Sequence, residues 1–115
     1  MNRAGRGSAA EGLAADFLRS RGLTVLTRNY RCRLGEIDIV ARDRDAIVFV
    51  EVRLRSSEAF GGAAASITPA KRLRMVRAAR HYLGTLRDEP ECRFDAILLD
   101  ALDPARIEWL SDIEL

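Results

Sequence analysis

The sequence predicts an α/β fold: a mixed central sheet flanked by two helices, in the order αβββαβ, with a short extra C-terminal strand. Three observations lead there. Residues 35–54 read as a hairpin of β-branched and aromatic residues around a charged turn. Two stretches, from Ser8 and from Thr68, open on helix-capping residues and then carry apolar residues at helical spacing. Cys92–Asp100 is one more strand rich in apolar residues. A chain of 115 residues suits one domain, expected at 8–115 behind a mobile basic arm at 1–7.

The first helix is expected to start at Ser8, where Ser8 and Glu11 match a capping box. Ala10, Leu13, Ala14, Phe17 and Leu18 form its core face, and Gly22 stops it. Glu11 thus has a structural reading as a cap and a functional one as an acid carried towards the hairpin. Leu23–Tyr30 is the first strand, with Arg28, Arg31 and Arg33 along its exit, facing either phosphates or water. The hairpin arms are Gly35–Ala41 and Ala46–Leu54. A four-residue loop at 42–45 is favoured over a two-residue loop, because Arg44-Asp45 lacks the glycine or asparagine of a tight turn. The second arm is apolar on both faces, which places it centrally.

Residues 56–67 are small, with Gly61-Gly62 at the centre, and read as a connector that Phe60 could anchor or as a substrate-facing loop. Thr68-Pro69 opens the second helix, which runs to Leu83 and ends at Gly84. Lys71, Arg72, Arg74, Arg77 and Arg80 give it a basic side with no acid between Pro69 and Arg87, a pattern that suits a phosphate backbone. His81 is expected on that surface. Asp95 interrupts the Cys92–Asp100 strand and either pairs with an arginine or acts chemically. Arg106–Leu110 is a last edge strand whose Trp109 covers the sheet.

Three polar residues break the hairpin's apolar pattern: Asp38, Glu51 and Arg53. Strand period puts Glu51 and Arg53 on one face. An even loop brings Asp38 to that face as well, diagonal to Glu51 for four residues and opposite it for two. Adjacent carboxylates in an apolar sheet repel each other and lose solvation, so a cation should compensate. Either a divalent metal or Arg53 answers that need.

Composition is globular, 48% hydrophobic and 31% charged, and no apolar run is long enough to cross a bilayer. The N-terminus lacks the apolar core of a signal peptide. Cys32 and Cys92 match no metal spacing and are expected to be thiols in a reducing cytoplasm. Residues 1–87 hold 17 Lys/Arg against 8 Asp/Glu, a net of +9, whereas residues 88–115 hold 2 against 9, a net of −7. The first part suits a polyanion; the last 28 residues do not.

An acid in the first helix, Gly35-Glu36-Ile37-Asp38 on one strand and Phe49-Val50-Glu51-Val52-Arg53 on the next resemble the PD-(D/E)-x-K nuclease superfamily, whose restriction-endonuclease-like core has the same αβββαβ order. With Phe60-Gly61 and Lys71 added, the chain resembles more closely the YraN-like family of small bacterial proteins. The resemblance implies a metal-dependent endonuclease in which Asp38, Glu51 and the Val52 carbonyl hold Mg²⁺ or Mn²⁺, Glu11 assists and Glu36 supports. Arg53 stands where the superfamily has lysine; an arginine stays protonated and cannot be a general base, though it can grip a phosphate. The expected partner is nucleic acid, DNA in particular and branched DNA by likeness to archaeal Holliday-junction resolvases, with Lys71, Arg72, Arg74, Arg77 and Arg33 on the phosphates. That likeness also allows a homodimer. Two other readings stay open: a nucleic-acid-binding module without catalysis, and an interaction protein docking through Glu108, Asp112 and Glu114.

Overall fold

The computed structural model describes residues 3–54 and 68–115, with side chains from residue 8 onward. The expected connector at 56–67, its Phe60 and the Met1–Asn2 end of the arm lie outside the described residues. The elements are α1 (Arg3–Ser20), β1 (Thr24–Cys32), β2 (Gly35–Asp43), β3 (Ala46–Leu54), α2 (Pro69–Leu83), β4 (Cys92–Leu99) and β5 (Ile107–Leu110). The five strands lie in the order β1-β2-β3-β4-β5, antiparallel except for the β3–β4 pair, which is parallel. The sheet is therefore mixed, with β3 at its centre, as the two-sided apolar pattern predicts. The architecture is consistent with a restriction-endonuclease-like core.

Each helix covers one side of the sheet. Under α1, Ala10, Ala14, Ala15 and Leu18 pack on Ile39, Ala41, Val48, Val50, Ile97 and Leu99. Three alanines at this contact leave little between helix backbone and sheet, while Leu13 and Phe17 pack at its margin. On the α2 side, Ala78 and Ala79 meet Ile37, Val40, Ile47 and Phe49, and Met75 meets Ala96 and Leu98. Thr68 caps α2, its Oγ1 accepting from the Lys71 amide at 3.2 Å, with Pro69 at the first turn.

Two expectations about local structure are corrected. Helix α1 begins at Arg3, so Ser8 lies exposed inside it and does not cap it. The alanine-rich sequence continues the helix through that point, and Glu11 is turned towards the sheet. The hairpin loop has two residues, not four: Asp43 pairs with Ala46, and Arg44 takes a left-handed φ of 56°. Longer strands outweigh that backbone cost. The ladder gains the Arg42–Ile47 and Asp43–Ala46 pairs, and Asp43 is held by the Arg93 guanidinium at 3.0 Å.

Asp95 takes the arginine option. Fully buried on β4, it accepts from Arg93 Nε at 3.1 Å, Trp109 Nε1 at 2.9 Å and the Asp112 amide at 2.9 Å. Trp109, edge-on to Phe17 at 6.0 Å, covers the sheet as expected. Through this carboxylate, β4, β5 and the chain end are tied to β2. Among the described residues, no helix is long and apolar enough to cross a membrane.

Candidate functional site

The site forms where the regular strand pattern fails at Asp38. Ile37 packs on the α2 side, yet Ile39 packs under α1. The β2–β3 ladder ends at Ile39–Val50, and neither Asp38 nor its β1 neighbour Asn29 pairs across the β1–β2 ladder. Asn29 has a left-handed φ of 55°, a conformation asparagine accepts more readily than most residues. Released from the ladder, Asp38 turns its own carboxylate to β3, where Oδ2 accepts from the Val52 amide at 2.8 Å.

Three carboxylates approach from three elements. Glu51, on β3, is 1% exposed. Burial pushes its carboxyl from an ordinary 4.5 up to about 7, with the Asp38 charge adding to the shift and Lys71 opposing it. Glu11 comes from α1, and one of its oxygens is buried without a hydrogen-bond partner. Burial raises its carboxyl too, followed by the Asp38 charge, while a hydrogen bond from Asn29 and the nearby Arg28 charge pull it down. Asp38 is thus the common neighbour of Glu11 and Glu51, one from each side of the sheet.

Cations answer from the α2 side. Lys71 Nζ sits 2.5 Å from Glu51 Oε1, and Arg53 Nε lies 3.6 Å from the same oxygen. Placing Lys71 here differs from the expectation that it stands with the arginines on the exposed basic side. Its neighbours Arg72, Arg74 and Arg77 are exposed there, as expected. The capped first turn of α2 explains the difference, because it aims position 71 at the end of β3. Glu36, expected to support the acids directly, is exposed and paired with Arg31 at 3.4 Å, so it acts on Glu11 through its charge alone. Asn29 is the residue that sequence reasoning missed. Its only signal was an asparagine inside a run of strand formers.

The donor set can be weighed against a divalent ion. Among the described residues, no group of three His, Cys, Asp or Glu side chains stands ready to hold a metal. Two adjacent carboxylates are nonetheless what Mg²⁺ usually takes from a protein, the rest coming from water and substrate phosphate. The raised Glu51 carboxyl and the orphan Glu11 oxygen are both relieved by added positive charge. Asp38 and Glu51 therefore fit such an ion, with Glu11 beside them.

The Glu51 shift has a consequence for stability. Between pH 4.5 and about 7 the unfolded chain gives up this proton while the folded chain keeps it. Stability therefore falls as pH rises through that range, by about 3 kcal/mol in full. Glu51→Gln removes the titration. Urea unfolding of both proteins should show the variant gaining on the wild type by about that amount between pH 5 and 8. A difference that does not change with pH would contradict the buried carboxyl.

Comparison with known proteins gives one consistent answer. A sequence model of the uncharacterised protein family UPF0102 matches residues 10–99. A UPF0102 protein of Nitrosomonas europaea is 55% identical over 111 residues, covering 96% of this chain and 94% of the relative. Another, from Cupriavidus taiwanensis, is 58% identical over 110 residues, 95% of this chain and 82% of the relative.

Proposed function

Since the chain belongs to the UPF0102 family, the YraN-like group its motifs resemble, we propose that it is a metal-dependent endonuclease acting on DNA, branched DNA in particular. The observation that carries this reading is the convergence of Glu11, Asp38 and Glu51 with the Lys71 ammonium at one break in the sheet. Asp38 and Glu51 would hold Mg²⁺ or Mn²⁺, which would neutralise charge on the phosphate and ease deprotonation of the attacking water. Lys71 and Arg53 bring two cations to the same edge, where they would bind the phosphate oxygens and stabilise charge that develops during attack. Lys71 also gives the site the lysine that Arg53 has displaced from its strand position. Glu11, with a raised carboxyl and an uncommitted oxygen, is suited to accept the water's proton. Arg72, Arg74, Arg77 and Arg33 would meet neighbouring phosphates.

One observation favours a second reading. Lys71 and Arg53 already neutralise Glu51, as they would in a nucleic-acid-binding protein without catalysis. Incubation with labelled four-way-junction and linear DNA in Mn²⁺ separates the two. The nuclease reading expects Mn²⁺-dependent cutting that Asp38→Ala abolishes. Binding without cutting in any divalent metal, unchanged by Asp38→Ala, would establish the second.

A further inference from the structure

At the start of β2, with Glu36 in its lining, the β1–β2 turn and α2 border an open cleft of about 350 Å³. Arg31, Arg33 and Arg74 line it, with Glu36, Cys32 and Gly35. We infer that this cleft is a second phosphate subsite, taking the backbone phosphate next to the one at Asp38 on the same nucleic-acid strand. The inference rests on the DNA reading above and names where the strand continues.

The cleft lining holds three arginines and one carboxylate. Glu36 pairs with Arg31 at 3.4 Å, and among the described residues neither Arg33 nor Arg74 has an acidic partner. The cleft therefore carries a local charge of +2 from side chains of two different elements. It is also held in shape. Gly35 lies so close to α2 that a Cβ there would stand 2.1 Å from the Arg74 carbonyl oxygen. That contact fixes the backbone of the turn bearing Arg31 and Arg33 against the helix bearing Arg74, so the three exposed side chains start from one place and can converge on one anion. Paired guanidinium N–H groups suit phosphate oxygens. Glu36 precedes Asp38 by two residues of β2, roughly 6–7 Å along the strand. A nucleic-acid strand leaving the acids along β2 thus passes over the cleft.

Fluorescence anisotropy with labelled single-stranded DNA and a four-way junction, in EDTA and over a salt series, tests this on the full chain. Arg33→Ala/Arg74→Ala is compared with Arg21→Ala/Arg44→Ala, which removes the same charge at the far end of α1 and in the β2–β3 turn. We expect the first pair to weaken binding at least tenfold. Its salt dependence should flatten by about 0.7–0.9, the slope of one released phosphate contact. The control pair should stay within about twofold of wild type, with both variants matching the wild-type urea midpoint. In a Cys92→Ser background, bound DNA should also slow alkylation of Cys32. If the wild type binds no DNA, the functional reading fails and the subsite with it. If it binds but the two pairs behave alike, or Cys32 is unprotected, the subsite alone is overturned.

Discussion

Lys71→Met should lower Mn²⁺-dependent cleavage by about 10²–10³-fold, the loss typical of removing one preorganised electrostatic stabiliser. The lysine is the nearest cation to a carboxylate that is 1% exposed. Without it, the Glu51 carboxyl rises beyond about 7, because Lys71 is what opposes burial and Asp38. At neutral pH the carboxyl then takes a proton and the fold survives, so the melting temperature at pH 6 should change little. The stability deficit should grow above pH 8, where the raised carboxyl is forced to ionise. Arg53→Lys, by contrast, keeps a cation beside Glu51 and should retain activity. No loss from Lys71→Met would remove Lys71 from the chemistry.

Asp95→Ala should destabilise the protein by about 3–5 kcal/mol, the usual effect of removing one partner from a buried ion pair. The Arg93 guanidinium, the Trp109 indole and the Asp112 amide all lose their acceptor at once. Asp95→Asn keeps an oxygen and should cost less. Urea unfolding at pH 7 distinguishes the two, and a loss under about 1 kcal/mol for alanine would mean that the network is slack. DNA binding should survive in Asp95→Asn, since this carboxylate lies on the α1 side of β4, away from Glu51.

The contrast between these two acids shows how far the sequence could be read. Both interrupt apolar strands, and nothing local separates them. Each even has an arginine two residues away on its own strand, Arg93 and Arg53. What separates them is the distant partner: the Trp109 indole and Asp112 amide at Asp95, and at Glu51 the Lys71 ammonium, from a helix 20 positions on. Strand period placed Glu51 and Arg53 together, and the loop is even. Regular alternation does not carry Asp38 to Glu51, however, because the side-chain pattern switches faces between Ile37 and Ile39. The loop length is not legible in local turn preference, because the Asp43–Arg93 pair that favours the shorter loop is supplied only by the folded β4. The Ser8–Glu11 capping box failed for the opposite reason. Its pattern is local, but helix continuation to Arg3 overrode it and left Glu11 for the sheet. The ladder break at Asn29 and Asp38, which builds the site, is the least legible feature. It is a competition between side-chain and backbone hydrogen bonds that alternation alone cannot register.

The most direct test is calorimetric titration of Mn²⁺ into the wild type and Asp38→Ala/Glu51→Ala, with and without DNA. Saturable binding is expected in the wild type, tighter with DNA since a substrate phosphate would add a ligand to the ion, and none in the double variant. Identical titrations for the two proteins would contradict it, and would leave Lys71 and Arg53 as the cations that the buried acids were built to hold.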